Sequence, residues 1–546
     1  MDDPMECVLP VQTTDLVKLE RAFVLGFPGN SNASKEHSIE VGMYDLMRQI
    51  CAYGNGLKAL ELLTEISMHG RAARMDTLLY ALAFCTRVTN DALILPHATI
   101  RTTTSNADAV RKAAFKVVSV VCTTPSMLYQ FVAYHTSLGT SRGHGRGFRR
   151  AISHWFTSKH PKQLAFILSK GGKSHGWSAR DLIRVSHVHV KPAESPATSL
   201  VIEFFSKGVL AFDAPSLPDD EVFMDTRHFL LAYHTIQTCT SVPTAINAIH
   251  GHRLCWEHLP TPLLADAKIW AALVERMSIG ALIRNLGRLG KLGLLEKGSA
   301  TAVYTAHRLV NEVAIKVARL HPLTALIAHE QYRIGHGDKG KNTWQVEPDI
   351  VTALHSTMQL AFAQCVPLGE DTPVIIGLDV SGSMMTTLPG IPISAETAAA
   401  ALVMTMLRTA SSTTVVAFSS DATILNLDKT SSLQMIIEQG RTFPYCMTDC
   451  ALPIIAATRT MKPARAFVVI TDNDTNCGRL SCEDALKMYN GLMGYTGYRR
   501  AKLIVLSLAG GGKAIAVPGH TDMLDIAGFD ANTANLVSAF ITGGTK

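Results

Sequence analysis

Two apolar runs that each stop in a carboxylate constrain this chain more than any other feature. Val374-Ile-Ile-Gly-Leu-Asp379 is followed at once by Val-Ser-Gly-Ser-Met, which sets Asp379, Ser381 and Ser383 in an Asp-x-Ser-x-Ser pattern. Ala466-Phe-Val-Val-Ile-Thr-Asp472 closes the same way. Thr414–Phe418 and Leu503–Leu508 are further apolar runs of strand length. Between these runs, Ala395–Thr409, Cys482–Leu492 and Asn532–Ile541 read as helices. Strands alternating with helices of this length predict a parallel sheet with helices on both faces. Such folds bind ligands beyond the carboxyl ends of the strands, where Asp379 and Asp472 fall.

A strand ending in one carboxylate and two hydroxyls supplies half of an oxygen-only cation site of the kind Mg²⁺ requires. Thr448 adds a hydroxyl from a polar turn just before the apolar segment Ala451–Ala457. The alternative is that the carboxylates merely cap helices. No histidine or cysteine ligand and no activated nucleophile accompanies the set, so hydrolysis is not the expected chemistry. The arrangement resembles a von Willebrand factor A domain with a metal-ion-dependent adhesion site. That resemblance implies direct ligation of a divalent cation by Ser381, Ser383 and, in one state, Thr448, with Asp379 and Asp472 acting mainly through water. It also implies that an acidic partner can complete the coordination.

The rest of the chain is a different body electrostatically. From Val366 onward there are 13 Lys+Arg against 15 Asp+Glu, whereas the preceding residues carry a net charge of +8 and 20 of the 21 histidines. At 546 residues two domains are expected, with bounds at 1–365 and 366–546. The larger, basic region suits an anionic partner. No apolar run reaches 18 residues and the opening Met1-Asp-Asp-Pro is acidic, so neither a membrane span nor a signal peptide is expected. The 11 cysteines are scattered, which predicts reduced thiols and an intracellular protein.

Residues 1–365 read as helical throughout, in the style of HEAT-like helix pairs: Ser38–Tyr53, Gly56–His69, Met75–Val88, Ala107–Cys122, Pro125–Thr136, Gly147–Thr157, Pro161–Ser169 and Ser178–Val185. On the last of these, Arg180, Arg184 and His187 fall at i, i+4 and i+7 and are expected on one face. Ser178 and Asp181 spell a partial capping box at its start. Lys170 and Lys173 precede it in the turn Lys170-Gly-Gly-Lys-Ser-His-Gly176. Further cations cluster at Arg142, Arg146, Arg149 and Arg150 before Trp155 and Phe156, at Arg284 and Arg288, and at Lys339 and Lys341 in a Gly-rich segment. Glycines let backbone N–H groups approach phosphate, arginine forks match its oxygens, and aromatic rings stack on unpaired bases. Each cluster alone reads as a solvated face; together they point to RNA.

With both regions placed, the chain resembles the Ro (SS-A) autoantigen family of TROVE proteins from about residue 40 to its end. The resemblance is carried by Gly176-Trp-Ser-Ala-Arg-Asp-Leu-Ile-Arg-Val-Ser-His187, Ala281-Leu-Ile-Arg-Asn-Leu-Gly287, Gly335-His-Gly-Asp-Lys-Gly-Lys341, Asp379–Met384, Thr448-Asp-Cys-Ala-Leu-Pro453 and Thr471-Asp-Asn473. It implies a ring of helical repeats plus the A domain, Y RNA on the basic outer surface, and single-stranded 3′ ends of misfolded noncoding RNAs in the central hole. Lys170 and His187 match the family's Y RNA contacts. A third family cation falls at Ser174, with Lys173 or His175 beside it as substitutes.

The expected function is therefore non-catalytic RNA binding in ribonucleoprotein assembly and RNA quality control, by a monomer that is cytoplasmic with a nuclear fraction. The competing expectations are a Mg²⁺-dependent adhesion module gripping an acidic protein, and a Mg²⁺-dependent RNA-processing enzyme.

Overall fold

The computed structural model describes residues 15–27, 39–72, 74–90, 107–139, 144–208, 220–337, 342–365, 367–368, 372–389, 391–443, 447–472, 477–509, 515–517, 520–529 and 531–542. The chain divides into two compact units, one built from residues up to Ser206 and one from Lys207 to Thr542. The helices between Glu221 and Ala363 thus share a unit with the sheet. No described helix is long and apolar enough to cross a membrane. Every described cysteine is a free thiol.

The sheet has six strands: β1 Pro373–Asp379, β2 Ser412–Phe418, β3 Ala422–Ile424, β4 Ala466–Thr471, β5 Lys502–Ser507 and β6 Met523–Ala527. Their spatial order is β3-β2-β1-β4-β5-β6. All pairings are parallel except β2–β3, so the fully parallel sheet expected from the sequence acquires one antiparallel edge. Continuous Val/Ile runs form these strands because both faces are covered; every residue of β4 is buried. One face packs Ile375, Phe418, Phe467 and Val469 against Ile454 and Tyr489 of the adjoining helices. Gly377 in the middle of β1 is required by that packing, since a Cβ there would lie 2.5 Å from the Pro453 ring.

The first unit is helical. Helices Asp76–Arg87 and Pro125–Ser137 pack together, and Ala107–Val121 packs on Arg146–Thr157. His135 is the polar centre of this unit. It is 2 % exposed and stacks on Phe148 at 4.7 Å, and its Nδ1 lies 2.8 Å from the Thr86 hydroxyl. Burial, with the Arg87 guanidinium nearby, pushes its pKa down to about 3. A buried imidazole that stays neutral binds fewer protons than in the unfolded chain between about pH 3 and 6.5, so it loses stabilising power as the pH falls through that window. Chemical denaturation should show the wild type losing about 2 kcal/mol more than His135→Phe between pH 7 and pH 5. Equal losses would mean that His135 is protonated in the fold.

Candidate nucleic-acid interface and metal centre

The helix Ala179–Ser186 is short, so its ends decide its stability. Ser178 caps it fully: the Asp181 N–H donates to the Ser178 hydroxyl at 3.3 Å, and the Ser178 N–H donates to the Asp181 carboxylate at 3.0 Å. Leu182 and Ile183 are buried, which turns Arg180 and Arg184 outward to solvent four residues apart. His187 is not on that helical stripe. The helix stops at Ser186, and His187 takes the left-handed cap with φ 52° while its side chain stays exposed. The stripe expected from periodicity is therefore two arginines on a helix face and one histidine on the turn that ends it.

The preceding turn is a tight hairpin. Ser174 and Trp177 exchange backbone hydrogen bonds at 2.9 Å in both directions, with His175 and Gly176 between them at φ 50° and 82°. Two consecutive residues with positive φ match the twist of a two-residue hairpin. Lys170, Lys173 and His175 are exposed, whereas Ser174 is half-buried within the bridge. Both neighbours of Ser174 thus present a side chain to solvent.

The second cation-bearing helix, Arg146–Thr157, buries Phe148, Ile152, Trp155 and Phe156 and leaves Arg146, Arg149 and Arg150 exposed. It packs directly against Ala179–Ser186. His144, just ahead of it, stacks on Phe148 at 4.4 Å and meets the Trp177 ring edge-on at 6.0 Å. The structure therefore gathers Arg146, Arg149, Arg150, Arg180 and Arg184 onto two adjoining helices, with the 170–176 turn leading into one of them. Arg142 lies outside the described residues, as do Lys339 and Lys341.

In the second unit the arginine pair on helix Ile279–Lys291 separates by role. Arg284 is exposed. Arg288 is half-buried: its guanidinium donates to the Leu264 carbonyl at 2.8 Å and sits over the Trp270 ring at 5.9 Å. Arg288 is therefore partly engaged in packing, whereas Arg284 is open to solvent.

At the carboxyl ends of β1 and β4 the structure brings together Asp379, Ser381, Ser383 and Asp472. Asp379 is 2 % exposed and accepts hydrogen bonds from the Ser381 N–H at 2.8 Å and the Thr471 hydroxyl at 2.7 Å. The Ser381 and Ser383 hydroxyls lie 3.0 Å apart. Thr448 is buried, and its neighbour Asp449 accepts the Ala451 N–H at 3.0 Å. Burial raises the Asp379 pKa to about 6, against the lowering by its hydrogen bonds, and the nearby Asp472 adds to the rise. Asp472 also carries a buried oxygen, Oδ1, with no hydrogen-bond partner. An orphaned carboxylate oxygen beside a buried acid and two converging hydroxyls is a donor set short of positive charge. It fits a hard divalent cation. Sequence reasoning missed Thr471 as the partner of Asp379, because that contact depends on the β1–β4 register, which sets Leu378 beside Ile470. A narrow cleft beside these oxygens is lined by Met384, Met385, Ile436 and Ile437, with Glu396 held by both arms of Arg441 at 2.8 and 2.7 Å.

A helical region followed by a doubly wound sheet with this oxygen set defines a helical-repeat protein bearing a von Willebrand factor A domain. The TROVE domain model matches residues 6–212 and 251–334, and the Ro60 vWA domain model matches 374–541. The chain belongs to the Ro60 family. It is 32 % identical to the RNA-binding protein RO60 of Deinococcus radiodurans, over 97 % of this chain and 93 % of that protein. It is 29 % identical to the RNA-binding protein RO60 of Caenorhabditis elegans, over 98 % and 89 %. The crystal structure of the Deinococcus radiodurans RO (RSR) protein aligns with a TM-score of 0.83 at 30 % identity, covering 97 % of this chain and all of that one.

The two arginines of helix Ile279–Lys291 give a direct check on this geometry. Arg288→Ala should cost about 1 kcal/mol in denaturant unfolding, because the Leu264 carbonyl loses one of its two donors and keeps the Trp270 indole N–H at 2.8 Å. Arg284→Ala should stay within about 0.5 kcal/mol of wild type. The reverse order would contradict the placement of Arg288.

Proposed function

We propose that this protein binds RNA without acting on it chemically, using the surface formed by the helices Arg146–Thr157 and Ala179–Ser186 and the turn between Lys170 and Gly176. The observation that carries the reading is that five arginines on two packed helices all face solvent, anchored from beneath by buried aromatic and aliphatic side chains. Phosphate is the complementary partner, since guanidinium forks take its oxygens two at a time. The relatives' printed names agree with an RNA ligand.

The finer reading is that small structured noncoding RNAs of the Y class dock here through Lys170 and His187, while unpaired 3′ ends of misfolded RNAs engage elsewhere on the protein, in ribonucleoprotein assembly and quality control. Affinity comes chiefly from counterion release, so binding weakens steeply with salt. Filter binding of a Y-like stem-loop across a salt series tests this. Arg180→Ala/Arg184→Ala should reduce the steepness of the log–log salt dependence by about 2, roughly one per lost phosphate contact. Lys170→Ala/His187→Ala should weaken binding further. Wild-type affinity and slope in both variants would remove the proposed surface.

The oxygen set of Asp379, Ser381, Ser383, Thr448 and Asp472 is proposed to hold Mg²⁺ and serve as a scaffold. When bound, the cation supplies charge compensation and a coordination position open to a carboxylate. No step of RNA chemistry is assigned to it. Its cleft offers methionine and isoleucine side chains and an already paired Glu396. A carboxylate at the open coordination position, flanked by apolar side chains against this lining, is a second, separate reading in which an acidic protein docks on the A domain. Thermal unfolding in Mg²⁺ distinguishes the two roles. Saturation at 100 times the dissociation constant should stabilise wild type by about 2.7 kcal/mol, with no effect on Asp379→Ala. RNA affinity should be the same for both proteins and insensitive to EDTA. RNA binding that collapses with the cation would refute the division of labour.

A further inference from the structure

The segment joining the helix Cys482–Gly494 to β5, Gly494-Tyr-Thr-Gly-Tyr-Arg-Arg500, takes no part in either site above. Its side chains are displayed to an unusual degree. Tyr495 is 93 % exposed and Tyr498 54 %. Met488 and Leu492 are also exposed, and with Tyr495 they follow at i, i+4 and i+7 along the end of the helix. Single exposed apolar residues are ordinary; three aligned along a helix end, with the Tyr498 ring in the turn beyond, mark an interaction surface.

The backbone beneath them is held firmly. The Asn490 side chain closes the segment from both directions, donating to the Ala501 carbonyl at 3.1 Å and accepting the Ala501 N–H at 2.7 Å. The Thr496 hydroxyl and the Tyr498 N–H both donate to the Met493 carbonyl, at 2.7 and 3.2 Å. Gly497 supplies the left-handed step at φ 81°. Arg500 is tied to Asp522 at 3.1 Å. Arg499 is exposed and has no ion-pair partner among the described residues. A fixed turn presenting two rings and a spare guanidinium has little ordering entropy left to lose on binding.

We propose that this surface is a second contact for unpaired RNA, with bases stacking on Tyr495 and Tyr498 and Arg499 meeting the intervening phosphate. The proposal rests on the RNA-binding reading and names a separate site for it. Rings with open faces beside a cation suit splayed bases, which stack without regard to sequence. With Arg500 paired to Asp522, Arg499 is the cation left to meet a phosphate, a local contact in a region whose overall charge is −2. The turn enters β5 at its amino end. The metal oxygens lie at the carboxyl ends of the parallel strands β1 and β4, so this contact is independent of the cation.

Ultraviolet crosslinking of the full-length protein to a uridine decamer, followed by peptide mass spectrometry, tests the assignment. Crosslinks should map to Tyr495 or Tyr498. Tyr495→Ala/Tyr498→Ala should abolish them and weaken decamer binding in fluorescence anisotropy by about tenfold or more, whereas Tyr495→Phe/Tyr498→Phe should restore it. Crosslinks confined to other segments, with wild-type affinity in the alanine variant, overturn this site and leave the stem-loop surface standing. Loss of a protein partner by the alanine variant with decamer binding intact also overturns it. Failure of wild type to bind either the decamer or the stem-loop sinks both readings.

Discussion

The display of positive charge on the first unit depends on what lies under it. Leu182 and Ile183 on one helix, and Phe148, Ile152, Trp155 and Phe156 on the other, are buried against their neighbours. Each such side chain contributes about 1.5–3 kcal/mol through removal from water. That apolar anchoring fixes which way each helix faces, and the arginines have no choice but to point outward. Their charges remain hydrated until a polyanion arrives, so no desolvation cost is stored in the free protein. A charge surface of this kind is rigid in its backbone and soft in its side chains, which suits recognition by RNA shape.

The sheet domain works by the opposite arrangement. Its carboxylates are drawn inward at strand ends, where the neighbouring strands and helices exclude water. Asp379 is satisfied by Ser381 and Thr471 yet is held near pH 6 by burial, while one Asp472 oxygen has no donor. Negative groups concentrated in this way are the basis of the proposed cation site. One chain thus carries an outward cationic surface and an inward anionic pocket, and the two call for different ligands.

Much of this was legible in the sequence, for reasons that can be named. Ala395–Thr409 falls where periodicity set it, because Ser394 caps one end and a strand follows closely on the other. Strands β1, β2, β4 and β5 are legible because they are buried on both faces and read as unbroken apolar runs. The short edge strand β3 is half-exposed and carries no such run, and β6 is interrupted by the buried Asp525, so both escape a reading by hydrophobicity. The candidate metal oxygens could be listed because each closes, follows or shortly precedes an apolar run. Thr471 could not be assigned to Asp379, since that pair depends on strand register across 92 residues. Arg288 looked like the twin of Arg284 four residues away. Only the tertiary fold shows the Leu264 carbonyl and Trp270 ring that claim it. His187 left its stripe because the helix ends one residue earlier, a boundary that spacing alone does not fix.

Hydrogen–deuterium exchange of the full-length protein with and without a Y-like stem-loop bears most directly on the central claim. The account predicts slowed exchange across residues 170–187 and 144–157 in the complex, with the strands around Asp379 unchanged. Protection confined to the sheet domain, or none in those two segments at saturating RNA, would contradict it.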